Sequence, residues 1–339
     1  MSKLESKINM SESVSGSSED WVEFTTLAGL DSNIFENFRR HPVMLRVIEG
    51  TNYLSSFENI NFFRNNSSHV VTKFLAKISS SDKVGNPLRL LTFYLNDKLL
   101  ELNPTTLRYA KNWSNIIDCF NLKNDFPSLE ISEIGGGYGG EAKVFFDLEP
   151  ELNKKKKLIL YDIYDLKSST QLITNFLNKF EYSVNYKSLI NCKNSEIKKD
   201  CKKLVISNGA LSEMHGDLLN LYLSQIVYKA DYGYFIVNFD SHSKPLGGIS
   251  NKDFFELLQK NNKNPIWIKN DCNFLTSFDK GNSSVIIFGA KSEDVNNAIK
   301  SRKNLSLFEK LLFKLINLNF SENPSPKMLF LKILNKIFK

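Results

Sequence analysis

Cysteine is scarce and scattered: Cys119, Cys192, Cys201 and Cys272 stand alone in 339 residues, with no C-x-x-C pair. That spacing excludes a zinc ribbon and a disulfide scaffold, and it suits a reducing compartment. No apolar run reaches the ~18 residues that a bilayer-spanning helix requires. The first residues lack the apolar stretch of an export signal, so a cytoplasmic protein is expected. Histidine is rare as well, with only His41, His69, His215 and His242 to serve acid–base or metal chemistry. Most of the chain also lacks an excess of either charge. Of the net +7, +6 falls within 301–339 and +1 is spread over the 300 residues before it. A body this neutral is not a nucleic-acid binder. What is present is an ordinary globular composition, 42% hydrophobic and 24% charged, in a chain long enough for two domains.

The pattern divides the chain into four parts. Residues 1–20 hold seven serines and four acids, too little apolar surface to offset ordering, and are expected to be a disordered tail. From 21 to 125 the apolar residues recur at three and four, as in Ile34, Phe35, Phe38 and then Val43, Met44, Val47, Ile48. That spacing predicts an all-helical N-terminal region, including 99–117. From 126 to 292 short apolar runs alternate with helical stretches: strands near 129–134, 158–164, 203–208, 233–239, 266–268 and 284–289, and helices near 141–148, 166–180, 218–228 and 253–260. Such alternation predicts βαβ units around a mostly parallel, Rossmann-like α/β sheet with helices on both faces. Residues 293–339 read as basic amphipathic helices.

Between the first strand and helix of this sheet lies Glu133-Ile134-Gly135-Gly136-Gly137-Tyr138-Gly139-Gly140. Gly135 and Gly137 permit a tight turn and close approach of a ligand to the backbone, and Gly139 and Gly140 permit close packing of the next helix. The string satisfies both the dinucleotide motif G-x-G-x-x-G and the motif E/D-x-G-x-G-x-G of class I methyltransferases, which use S-adenosylmethionine (AdoMet). Glu133 favours the second, because a carboxylate suits the ammonium of a methionine moiety and repels a pyrophosphate. A second acid is expected after the next strand to hold ribose hydroxyls. Asp165 closes that strand more naturally than Asp162, which an extended chain turns to the other face. The plain alternative is a surface acid capping the following helix.

These blocks together resemble the sugar O-methyltransferases of bacterial surface-polysaccharide clusters. Residues 133–140 match that family's E-I-G-G-G-Y-G-G, and Tyr161-x-Ile163-x-Asp165-Leu166 is similar to its Y-x-I-x-D-L-P, with Lys167 where proline is usual. Residues 206–213, ISNGALSE, resemble its I-S-N-x-A-x-S-E, and Thr106-Leu107-Arg108-Tyr109 also resembles a family segment. The likeness runs over about 30–290 and leaves the tail outside. It implies a class I methyltransferase sheet, AdoMet as methyl donor and a sugar or glycan hydroxyl as acceptor. Glu133, Gly135, Gly136, Gly137, Tyr138, Gly139, Asp165 and Asn208 are the expected cofactor contacts.

A sugar hydroxyl needs a general base or a metal to act as nucleophile near neutral pH. His215 and His242 each follow a strand on the ligand edge, and Glu213 lies beside the first, so these three are the catalytic candidates. The plain reading makes both histidines ordinary loop residues. Asp240, His242 and Glu213 have the donor types of a magnesium or manganese site, so a divalent metal stays open, although no spacing demands one. Two further function classes compete with methyl transfer: a nicotinamide-dependent oxidoreductase using the same glycines, and a binding module without catalysis. In the tail, Phe308, Leu311, Leu312 and Leu315 form one helical face, and Lys332, Asn335, Lys336 and Lys339 lie opposite Phe330, Ile333, Leu334 and Ile337. Residues 305–339 therefore read either as helices packed on the body or a partner subunit, or as a peripheral membrane anchor near lipid-linked acceptors.

Overall fold

A computed structural model of the chain describes residues 19–51, 53–124, 127–182, 184–187, 201–269, 271, 274–276 and 283–300. The expected disordered tail up to 18, the basic helices from 301 onward, Cys192 and Cys272 lie outside the described residues. The described N-terminal region begins with helices α1 (Glu19–Leu30), α2 (Ser32–Glu36), α3 (Pro42–Val47), α4 (Tyr53–Asn65) and α5 (Val70–Ile78). A hairpin of β1 (Leu91–Leu95) and β2 (Lys98–Leu102) follows, and then the long helix α6 (Pro104–Cys119).

The hairpin corrects the expectation that 21–125 is helical throughout. Leu91, Phe93 and Leu95 are buried while Tyr94 is exposed, the period-two pattern of a half-buried strand. Leu91 pairs with Leu102 and Leu95 with Lys98, which leaves Asn96 and Asp97 as a two-residue turn with φ of 50° and 60°. Two left-handed residues are what a right-twisted hairpin requires, and Asn and Asp tolerate them best after glycine.

The remainder is one seven-stranded sheet. Its strands are β3 (Leu129–Ile134), β4 (Ile159–Tyr164), β5 (Asn185–Lys187), β6 (Lys202–Asn208), β7 (Tyr232–Val237), β8 (Ile266–Lys269) and β9 (Ser284–Phe288), in the order β5-β4-β3-β6-β7-β9-β8. All neighbours are parallel except those of β9, which runs against both β7 and β8. The strand order reverses between β3 and β6, so the carboxyl ends of these two strands open a crevice for ligands. The expected Rossmann-like α/β class is the observed one.

Helices cover both faces. One face packs on α7 (Gly140–Leu152), α8 (Lys167–Asn178), α6, α11 (Ser292–Lys300) and the N-terminal helices in a single apolar cluster containing Ile131, Tyr161, Phe145, Phe176, Trp113 and Phe38. The other face packs on α9 (Gly216–Gln225) and α10 (Asn251–Lys260) through Leu219, Leu223, Phe254 and Leu258. Helix α7 runs past Leu148 and holds Pro150 in its last turn, one turn further than expected. Buried cations lock the N-terminal region to the sheet. Arg39 binds Glu49 at 2.6 Å and Asp82 at 2.7 Å and lies over the Tyr138 ring, while Lys143 of α7 donates to Ser80 Oγ at 2.8 Å and to the carbonyls of Lys77 and Ile78.

Candidate cofactor and active site

The glycine loop leaves β3 at its carboxyl end and enters α7, and three of its glycines, 135, 137 and 139, have φ between 60° and 89°. The reasons for glycine differ along the loop. A Cβ on Gly135 would lie 2.1 Å from that of Ala210, so packing against the loop after β6 requires glycine here, beside the φ of 83° that fits the expected tight turn. At Gly137 a Cβ would press on Ile48 at 3.2 Å, and φ is 60°, so the left-handed backbone and the side chain above it both require glycine here. Gly136 packs on Ile163, Gly139 on Ile173 and Leu177, and Gly140 under Tyr109 and Tyr138.

Tyr138 is not at the ligand edge. Its side chain is 1% exposed among Phe38, Phe176, Tyr109 and Arg39, which makes it a wedge between the N-terminal region and the sheet rather than a cofactor contact. Asp165 follows β4 directly. One carboxylate oxygen accepts the Gly137 N–H at 2.8 Å and the other the Leu166 N–H at 2.6 Å, so this acid shapes the glycine loop. The Ser169 hydroxyl and the Gly136 N–H also face this carboxylate.

The second family-like block braces the first. Ser207 Oγ donates to the carbonyl of Ile134 at 3.0 Å and accepts the Leu211 N–H at 3.1 Å, while Ser212 Oγ accepts the Asn238 N–H at 2.9 Å. Asn208, at the end of β6, donates its amide to Glu141 at 3.4 Å. The upstream block stands against the same loop: Tyr109 packs on Gly140, and Thr105 and Arg108 donate to the carbonyl of Ile48, the residue above Gly137.

Acids dominate the edge. Glu133 is 3% exposed and accepts the Tyr161 hydroxyl at 2.8 Å, and Glu141 is 6% exposed. Burial, and then the neighbouring Glu141, hold Glu133 well above the usual carboxylate range. Burial also pushes Glu141 up to about 7, against the opposing pull of Asn112, Arg108 and Asn208. Asp165 is raised by burial in spite of its hydrogen bonds, and Glu213 by burial, with His242 lowering it and Asp165 raising it. Sequence reasoning passed over Glu141. An acid in the first turn of a helix reads as a solvated dipole partner, and only the packing of α6 buries this one.

The loops after β6 and β7 bring Glu213 within electrostatic reach of His242 and of Asp165. His242 is exposed on a turn anchored by its own N–H to the carbonyl of Asn238, at 3.2 Å. His215 is half-buried at the start of α9, and its Nδ1 is buried without a hydrogen-bond partner, as is Oδ1 of Asn238. Unsatisfied buried atoms at a ligand edge are where a substrate's donors and acceptors fit. Asp240 is 3.6 Å from Lys244, and among the described residues no three His, Cys, Asp or Glu side chains gather as a metal cage.

The other two histidines belong to the helices. His41 caps α3 and stacks on Phe24, with 4.3 Å between ring centroids. His69, Asp118 and Ser114 line up in the order of a nucleophilic triad, with His69 Nε2 2.9 Å from Asp118 and Nδ1 3.3 Å from Ser114 Oγ. Ser114 is fully buried, however, and His69 Nδ1 also accepts the Val71 N–H as the cap of α5, so the arrangement holds a helix in place.

No family model matches this chain, and no curated protein does. Among solved structures it is similar to the CMeT domain of the citrinin polyketide synthase, at 12% identity over 56% of this chain and 54% of that one, with a TM-score of 0.38. An O-methyltransferase family protein from Burkholderia thailandensis matches at 12% identity over 56% and 60%, with a TM-score of 0.36. The phosphoethanolamine N-methyltransferase 2 of Haemonchus contortus, in complex with S-adenosyl-L-methionine, matches at 12% over 48% and 39%, with a TM-score of 0.34. The chain spans about half the length of the first of these. Overlaps of this size assign no residue a role.

Proposed function

We propose that this chain is an AdoMet-dependent O-methyltransferase whose acceptor is a sugar hydroxyl, acting in the synthesis of surface polysaccharide or another glycan. The observation that carries the reading is the ring of carboxylates at the ligand edge. Glu133 precedes the glycine loop, Glu141 follows it, Asp165 accepts its Gly137 N–H, and Glu213 lies within electrostatic reach of Asp165, with Arg108 the one guanidinium acting on them. A site built from acids offers a dinucleotide's pyrophosphate no counter-charge and suits a ligand that brings its own positive charge as a sulfonium and an ammonium. The sheet supports the same choice, because the order common in dinucleotide folds, 3-2-1-4-5-6, lacks the reversed strand that stands here between β7 and β8.

The backbone at Gly137 and the Asp165 carboxylate would hold the nucleoside part, and Glu133, Glu141 and Asn208 the methionine part. When bound, AdoMet supplies a methyl group on a positively charged sulfur. The chain's own task is then to hold the acceptor hydroxyl in line and to take its proton. Glu213, His215 and His242 stand on the two loops that can reach such a hydroxyl. The sugar acceptor rests on the resemblance of the sequence blocks 133–140, 161–166 and 206–213. Calorimetric titration with AdoMet and with NADH tests the reading: AdoMet binds and NADH does not, and the reverse result overturns it. Turnover with a pool of bacterial glycans separates an enzyme from a binding module.

A further inference from the structure

We propose that Glu133 and Glu141 form a two-carboxylate receptor for the ammonium group of AdoMet, and that a proton leaves the pair when the ammonium arrives. The inference rests on the AdoMet reading and deepens it. Glu141 is not used as a helix cap. Its two oxygens are held by side-chain amides from other elements, Asn112 of α6 at 3.1 Å and Asn208 of β6 at 3.4 Å. Glu133 is held by the Tyr161 hydroxyl from β4. All three donors are neutral.

The charged and titratable groups that face the pair are Arg108 and Tyr109 from α6, Tyr161 from β4 and Asp165 beyond it. One guanidinium therefore stands against three carboxylates. Two buried acids acting on each other resist ionising together, and one guanidinium does not balance three carboxylates, so below about pH 7 Glu141 keeps its proton. An ammonium brings three N–H donors and the missing positive charge, and the displaced proton passes to solvent. Cofactor affinity and proton release are then linked through Glu141.

Calorimetry on the full chain tests this in buffers of different ionisation heat, with AdoMet and with 5′-methylthioadenosine, which lacks the amino-acid part. The expected result is AdoMet affinity rising about tenfold per pH unit between about pH 5.5 and 6.5, levelling above about 7, with release of about one proton at the acid end. Binding of 5′-methylthioadenosine stays flat. Glu141→Gln abolishes both the slope and the released proton. The inference is overturned if AdoMet and 5′-methylthioadenosine respond alike to pH, if the wild-type chain releases no proton, or if Glu141→Gln keeps both signals. The wild-type proton count needs no variant and stands even if Glu141→Gln does not fold. If neither ligand binds at all, it is the AdoMet reading that fails.

Discussion

At the scale of residues, the site depends on where burial has been imposed on charge. Glu141 makes the point in the apoprotein. Its folded pKa of about 7 lies above its ordinary value, so the folded state holds the proton more tightly than the unfolded chain. The stability this provides is full below about pH 4 and is lost as pH rises through about 7, by up to about 3 kcal/mol for a shift of that size. Thermal unfolding between about pH 4.5 and 7.5 should show that fall, and Glu141→Gln should flatten it. Gly137→Val should abolish AdoMet binding by pushing the loop away from Ile48, and it should also cost about 1–2 kcal/mol of stability, since a β-branched residue is strained at φ of 60°. Unchanged AdoMet affinity in that variant defeats the loop assignment. For the chemical step, replacing the working base among His215, His242 and Glu213 should lower turnover about 10²–10⁴-fold with AdoMet affinity kept. Near-normal turnover in all three single variants removes them as candidates.

Elements show what local sequence can and cannot reveal. Strands β6, β7 and β9 hold apolar runs that stop at asparagine or glycine, the plain signature of burial on both faces, and β3 alternates up to its glycines. The glycine loop, the Asp165 position and the 206–213 block were legible for the same reason: each sits where a strand ends. The hairpin was not. Leu91, Leu95, Leu99 and Leu102 recur at four, four and three, which imitates a helix, and the only contrary sign was Asn96-Asp97. Strand β5 is three residues long and polar, so it carries no signal of its own and exists because β4 offers an open edge. Tyr138 was misplaced because a motif shows adjacency to a ligand loop but not which way a ring turns. If the turn is as described, Asp97→Gly should raise stability by about 1 kcal/mol, since glycine removes the cost of the left-handed backbone. Thermal unfolding decides it: a helix at 97 would be destabilised by the same change.

Across the whole molecule, the described residues are one body: α11 ends the series with Val295 and Ala298 buried, packing against α6. No helix among the described residues is long and apolar enough to cross a membrane. We propose that residues 305–339 touch lipid, with about 1 kcal/mol for each basic group near an anionic surface. Full-length protein should co-sediment with anionic liposomes in low salt and release in high salt, and a chain ending at 300 should not bind. Aggregation of that shorter chain would instead make the tail part of the core. The joint between the N-terminal region and the sheet has a consequence for recombination. Arg39 over Tyr138, Tyr109 on Gly140, Lys143 on Ser80 and Ile48 over Gly137 all cross the position where a motif-based division would cut, near 125. Chimeras that exchange the first 125 residues between relatives, in order to transplant acceptor preference, would break all four pairs at once. Such a graft transmits specificity only if the glycine loop and α7 travel with the helices that grip them.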